Sequence, residues 1–407
     1  MRLSSSPLGI AALAAGLWLS SADTAVAQHW PTEPVTFAGG RLLIGGDASV
    51  TFGSDDPGWF TYTDYETSAI RRVRAGATIE VRATNRVAFL TEIRAETGAG
   101  VTPYAWYVRV SPLASGLVDI QAGRIPPVFG TFARRSYPQD NPLIGSPQTY
   151  QYLTSVRPDA VPATADDLLK MKGRGWLVTY PVGNTAPHNG VPTIAAERWD
   201  TGVQIRVGPP ALEGAVSYTV GSLSDPRVGD NNGGGQIAGR VAWHPVPAFT
   251  VGASAARGVF VADNVREARP DAPPGDDDQR SFGIDAEASW GRWLFRGEYV
   301  ANSWRVPPLD APLIVDPLGS RGGYAEAKVR LHPRLYAALR GDVIRFMTIE
   351  GSGGVETWEA DVSRVEYGVG ITIRRGLLAK ASVLSNWRDG GRVRRSHLGA
   401  VQLLFWF

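Results

Sequence analysis

The sequence predicts an all-β protein, a 16-stranded antiparallel transmembrane β-barrel. Three observations carry that prediction. Apolar residues recur at every second position over most of the chain, short connections alternate with long ones, and the last residues form an apolar strand ending in Phe407. The composition removes other classes. With no cysteine among 407 residues, disulfide scaffolds and thiolate metal sites are out. A hydrophobic content of 43% with 10% aromatics is too rich for a disordered chain. A balance of 41 basic against 39 acidic residues gives no global pull towards nucleic acid, so no nucleic-acid partner is expected.

From the N-terminus, Arg2 precedes an apolar run from Leu8 to Leu19 and the small residues Ala25, Val26 and Ala27. This reads as a secretory signal peptide, residues 1–27, cleaved before Gln28 and too short for a spanning helix. Residues 28–407 are then an exported domain with no further apolar run of helical spanning length, which leaves the periplasm, the exterior or the bacterial outer membrane. The strands decide for the outer membrane. Val73, Ala75, Ala77, Ile79 and Val81 alternate with Arg72, Arg74, Thr78, Glu80 and Arg82. Phe282, Ile284, Ala286, Ala288 and Trp290 alternate with Asp285, Glu287 and Ser289, and Ala325, Ala327, Val329 and Leu331 with Glu326, Lys328 and Arg330. Runs of roughly 9 to 13 residues with one apolar face have the length of tilted bilayer-crossing strands. Trp243, Trp290, Trp293, Trp304 and Trp387 at strand ends suit interfacial girdles.

Short connections are expected at 83–86, 111–116, 208–210, 245–248, 291–292, 332–334 and 374–376. Long ones are expected at 54–67, 98–103, 126–199, 222–235, 261–280, 305–322, 348–360 and 388–395. The alternation demands that Trp176–Val182 stay inside the third long connection, and parity then gives sixteen strands. The final strand puts Val401, Leu403, Phe405 and Phe407 on one face; its terminal aromatic resembles the signal read by the outer-membrane insertion machinery, an expected partner.

Sixteen strands with the longest connection after strand five resemble the bacterial porins. Gly123-Arg124-Ile125-Pro126-Pro127-Val128-Phe129-Gly130 is similar to the phrase Gly-Lys-x-x-x-Pro-Phe-Gly of the phosphate-selective porin O and P family: Gly123, Phe129 and Gly130 match, Arg124 replaces Lys, and the Pro is shifted to Pro127. The resemblance implies that loop 126–199 folds into the lumen and narrows it, that homotrimers form, and that no cofactor is needed. Leu42, Ile44, Ala48 and Val50 would offer a face to a neighbouring subunit or to lipid.

The loop carries its own instructions. Thr164-Ala165-Asp166-Asp167 fits a helix start, followed by Leu168, Leu169 and Met171. Arg134, Arg135, Tyr137, Tyr150, Arg157, Lys170, Lys172 and Arg174 are the constriction candidates; the alternative is an external cap touching lipopolysaccharide or neighbouring subunits. Arg72, Arg74, Arg82, Arg94, Arg109 and Arg124 form a basic ladder expected to line the pore and favour anions among small hydrophilic solutes, with acids on the later strands opposing it. The alternatives are a barrel hydrolase with a site at the mouth and a non-conducting adhesin. The five histidines show no metal spacing and no Gly-x-Ser-x-Gly elbow is present, so no catalytic residue and no metal site is assigned. Asp276, Asp277 and Asp278 form an acidic run that reads as a solvated loop tip or a cation site.

Overall fold

The computed structural model describes residues 31–63, 66–196, 198–209, 211–269, 277–307 and 309–407. The expected signal peptide, its cleavage point before Gln28, and Asp276 lie outside the described residues. The barrel strands are β1 Leu42–Gly53, β2 Val73–Arg82, β3 Val87–Glu96, β4 Gly100–Val110, β5 Val118–Ile125, β6 Asp200–Val207, β7 Leu212–Thr219 and β8 Gln236–Val246. They continue as β9 Phe249–Val259, β10 Asp278–Trp290, β11 Trp293–Trp304, β12 Leu318–His332, β13 Leu335–Phe346, β14 Val362–Arg374, β15 Leu377–Arg388 and β16 Arg395–Trp406. Each pairs antiparallel with the next, and β16 returns to β1 with Asp47 opposite Trp406 and Gly53 opposite Ala400, closing the sheet. A closed sheet leaves no unpaired edge, the condition for crossing a bilayer with strands.

Strands β5 and β6 pair directly, from Val118 opposite Val207 to Ile125 opposite Asp200. Segment 126–199 is therefore an excursion from a hairpin, and Trp176–Val182 adds no wall strand. Within the excursion Ala160–Val161 pairs with Val182–Gly183, and Val178 bridges His188. The connection expected at 98–103 is shorter, residues 97–99, because Val101 and Pro103 extend the ladder opposite Ala95 and Ile93.

The period of two sorts the side chains inside out relative to a soluble sheet. Outward Val73, Phe282, Ile284 and Val401 are 45%, 51%, 47% and 52% exposed, while inward Arg74 and Asp285 are 2% and 6% exposed. That arrangement suits a sheet whose outer face meets hydrocarbon and whose inner face meets polar groups. Trp243, Phe249, Trp290 and Trp293 stand exposed beside the turns 247–248 and 291–292 and make the expected girdle at the short-turn end. Trp304 does not join a girdle. It lies eleven residues from Trp293, an odd step that turns it inward, where it is fully buried and meets Trp358 edge to face at 5.9 Å.

That pair belongs to an internal apolar core at the long-loop end, with Tyr152, Leu168, Tyr180 and Phe346. The helix Ala165–Lys170 enters it through the expected cap: Asp167 N donates to Thr164 Oγ1 at 3.2 Å, and Thr164 N donates to Asp167 Oδ2 at 3.3 Å. Gly123 and Gly130 have local reasons to be glycine. Their φ angles are +131° and +67°, and a Cβ would stand 2.4 Å from Trp106 O at the first and 2.2 Å from Glu298 Oε1 at the second.

Candidate functional site: two charged walls and a cavity

On the inner face of β1 to β4, alternation and register bring arginines and acids together. Arg74 Nε lies 3.5 Å from Asp47 and 3.6 Å from Glu96, and Arg72 Nη1 lies 3.8 Å from Glu96. Arg94 Nη2 is 2.7 Å from Glu92, and its guanidinium sits 3.2 Å over the Tyr104 ring. Tyr137, from the excursion, donates its hydroxyl to Glu92 at 2.6 Å. Nearer the short turns, Glu80 accepts from Arg82 at 2.7 Å and Arg109 at 3.1 Å. The basic ladder is thus interleaved with carboxylates, a balance that reading the arginines alone missed. Arg72 also stands just before β2, and Arg82 ends it at the short-turn rim.

The wall of β11 to β15 is sealed by the excursion. Glu298 accepts from Tyr150 Oη at 2.5 Å, and from Thr131 Oγ1 and Phe132 N at 3.4 Å. Glu366 accepts from Ile144 N at 3.1 Å and Gly145 N at 2.9 Å on one oxygen, and from Arg340 at 2.6 Å on the other. Arg340 also donates to Gly145 O at 2.7 Å and lies 3.4 Å from both Glu326 and Asp342. Arg364 reaches Ser146 O at 3.1 Å, Gln151 at 2.9 Å and Phe60 O at 2.9 Å, and Lys380 donates to Pro138 O and Asn141 O. Charges this deeply buried need partners, and the excursion's backbone supplies them to Glu366, Arg340, Arg364 and Lys380, while Asp342 has its ion pair with Arg340 and neither of its oxygens a hydrogen bond.

The loop candidates divide. Arg134 donates to Pro127 O at 3.1 Å and pairs with Glu213 at 3.3 Å; burial, reinforced by neighbouring Arg206, pulls its pKa down to about 10. Arg135 pairs with Glu287 at 2.5 Å, and Tyr137 and Tyr150 tie to the two walls as above. Arg157 is buried and clamps the excursion to itself through Asp159, Val178 O and Ala186 O, and it does not line the cavity described below. Lys170 pairs with Asp167 at 3.2 Å, Lys172 donates to Thr357 at 2.7 Å, and Arg174 is exposed. The first two thus keep company with a helix and an outer-loop hairpin, Thr348–Gly351 with Gly354–Thr357, away from the walls.

Between β2 to β5, the excursion and loop 220–235 lies a cavity of about 560 Å³. Arg72, Arg94, Arg124, Arg198 and Arg227 line it, against the carboxylates Glu96 and Asp225. Arg124 is held there by Trp199 O at 2.9 Å and Pro103 O at 2.7 Å. Burial raises the Asp225 carboxyl above its ordinary pKa despite its ion pair with Arg227. Sequence reading did not foresee Arg198 and Arg227; both sit in connections, where no periodicity assigns a facing direction. Among the described residues no group of three or more His, Cys, Asp or Glu could hold a metal, and Asp277 and Asp278 are engaged by Arg266 at 2.9 Å and Arg257 at 2.7 Å. On the outer face of β15 and β16, Ser385 Oγ meets His397 Nδ1 at 3.0 Å.

No protein-family model matches the chain, and no curated protein sequence matches it. Solved structures do. The OmpF of Salmonella typhi, in complex with daunomycin, superposes with a TM-score of 0.55 at 13% identity, covering 90% of this chain and 97% of that one. An anion-selective porin from Comamonas acidovorans gives 0.55 at 10% identity over 90% and 99%. The outer membrane protein OmpT of Vibrio cholerae gives 0.51 at 10% identity over 90% and 98%. These likenesses are of fold.

Proposed function

We propose that the chain is a bacterial outer-membrane porin, a passive water-filled diffusion channel for small hydrophilic solutes that prefers anions, narrowed by the excursion 126–199. The observation that carries the reading is the cavity beside β2 to β5, where five arginines face two carboxylates inside a closed barrel with an apolar outer face. Guanidinium groups hold their charge at any working pH and offer forked donors to oxyanions. The likeness of 123–130 to phosphate-selective porins makes phosphate the first anion to try, and the outward face of Leu42, Ala48 and Val50 on β1 is the proposed subunit contact. The test is single-channel conductance of the refolded mature chain in a planar bilayer, with the reversal potential taken in a salt gradient. Anion-biased current weakened by phosphate supports the reading; a folded barrel without current overturns it.

The second reading is a barrel hydrolase, favoured by the Ser385 to His397 contact. Ser and His in hydrogen-bond reach are the core of a nucleophilic site, although His397 meets the serine through Nδ1 on the outer wall, away from the mouth. Ester turnover abolished by Ser385→Ala, with the barrel intact, would favour it over the channel.

A further inference from the structure

The cavity beside β2 to β5 is built for more than charge. The ladder of β3 and β4 slips there: Glu92 stands opposite Ala105 and Ile93 opposite Pro103, so Tyr104 is an extra residue without a ladder partner. Such a bulge re-aims a side chain that alternation would send elsewhere. It buries Tyr104 and Ala105 together and lays the Tyr104 ring against the Arg94 guanidinium, which is held between that ring and Glu92. A guanidinium fixed in this way is preorganised for an oxyanion, and Arg124, held by two carbonyls, stands on the same wall.

A bare oxyanion accounts for little of the rest. At about 560 Å³ the cavity has the size of sites that enclose organic ligands. Glu96 and Asp225 stand among the arginines, where they repel a simple anion but accept protons from hydroxyl groups. Thr63, Thr67 and Thr102 add hydroxyls that can both donate and accept. From the excursion comes an apolar flank, Leu153, Val191 and Pro192.

Next to that flank a strained aromatic is displayed. Trp59 has φ +52°, in the left-handed region that bulky residues seldom occupy, and its ring stacks on Trp176 at 4.2 Å, within 10° of parallel. Both are half-buried and adjoin the lining. Trp176 follows Gly175, whose carbonyl accepts from the lining residue Gly190 at 2.7 Å. Trp59 lies 6.1 Å from Tyr62, the neighbour of the lining residue Thr63. Strain of this kind persists only where the surroundings impose it, and it clusters at ligand sites.

We propose that the cavity is a selective site for an acidic sugar, a pyranose ring carrying one oxyanion. The arginines take the oxyanion, Glu96, Asp225 and the threonines take the hydroxyls, and the apolar flank with the tryptophan stack beside it takes a C–H face of the ring. The proposal rests on the channel reading and names the class of solute the channel admits. An anion without hydroxyls leaves the carboxylates repulsive, a neutral sugar leaves the arginines unused, and a flat aromatic acid leaves the threonines unused.

The test is isothermal titration calorimetry of the refolded mature chain in zwitterionic detergent, which needs no conduction. The probes are glucuronate and glucose 6-phosphate, with acetate, inorganic phosphate, glucose and benzoate as the parts taken singly. One or both acidic sugars should bind at least about tenfold more tightly than every single part. The tighter of the two identifies the oxyanion as carboxylate or phosphate. Tyr104→Leu, which removes the plate behind Arg94, should weaken the acidic sugar by about fivefold or more, and Thr102→Val by about threefold. Arg321→Gln, on the outer wall opposite Arg345, should change nothing. An acidic sugar bound no more tightly than its bare oxyanion, than glucose or than benzoate would overturn the proposal, as would unchanged affinity in either folded cavity variant. Reversal potentials from the same preparations keep the two readings apart. Anion-biased current without preferential binding of the acidic sugars defeats only this proposal, and their binding without current defeats the channel and leaves the site.

Discussion

The two inner walls are made of the same residue types and end in opposite conditions. Along β11 to β15 the acids Glu298, Asp342 and Glu366 are buried with Arg340 and Arg364 under the excursion. Along β2 to β5 a similar mixture of Arg72, Arg94, Arg124 and Glu96 borders a cavity. The difference lies in what covers them. Carboxylates opposite the excursion attract its backbone N–H groups and the Tyr150 hydroxyl, which dock and exclude water; the excursion touches the arginine wall through Tyr137 and leaves room above it. A charge on the inner wall is thus sealed where the excursion packs over it and open to the cavity where the excursion leaves room.

The strongest way to break this comparison is Arg340→Ala, which strips three buried carboxylates of their shared partner. It should cost about 3–5 kcal/mol of stability and enlarge the conductance as residues 138–151 detach, measured by thermal unfolding and single-channel recording. Glu298→Gln comes next: it weakens the holds on Tyr150 and Phe132, costs about 1–3 kcal/mol, and should appear as current flicker with unchanged selectivity. On the open side, Arg198→Gln, at an exposed position on the cavity wall, should leave stability nearly intact and lower the anion-to-cation permeability ratio, read from the reversal potential. A large stability loss there would erase the distinction between the walls.

The smallest effect concerns pH. Because burial raises the Asp225 carboxyl, it stays protonated above the ordinary carboxylate range near about 3.9. As pH falls through that raised value, the cavity loses a negative charge, so anion preference should increase on acidification before ordinary carboxylates titrate. Asp225→Asn should hold the acid-state preference at every pH, and a wild-type reversal potential that stays flat until the ordinary carboxylate range is reached would refute the assignment.

Much of this was legible in the sequence because a strand has a period of two and a closed barrel has even parity. Those rules placed Phe282 outside and Asp285 inside, kept Trp176–Val182 out of the wall, and bounded the excursion at 126–199. The same rule would have turned Trp304 inward had its odd distance from Trp293 been counted. The cavity was less legible. Arg72, Arg94 and Arg124 are among its expected arginines, but Arg198 and Arg227 lie in connections, and Arg157, a constriction candidate by sequence, spends its donors on Asp159 and three carbonyls.

The sequence by itself determined strand number, closure, the apolar outer face and the polar inner one, since these follow from local alternation and connection length. Only the tertiary structure decided which charges meet. Glu92 and Arg94 are neighbours on one strand, but Glu298 with Tyr150, Glu366 with Gly145 and Arg321 with Arg345 join residues far apart in the chain, through an excursion that folds by its own packing and a register fixed by the ladder. Ion pairing depends on distances of a few ångströms, and those are set by how the long connection settles against the wall, a property no local period encodes.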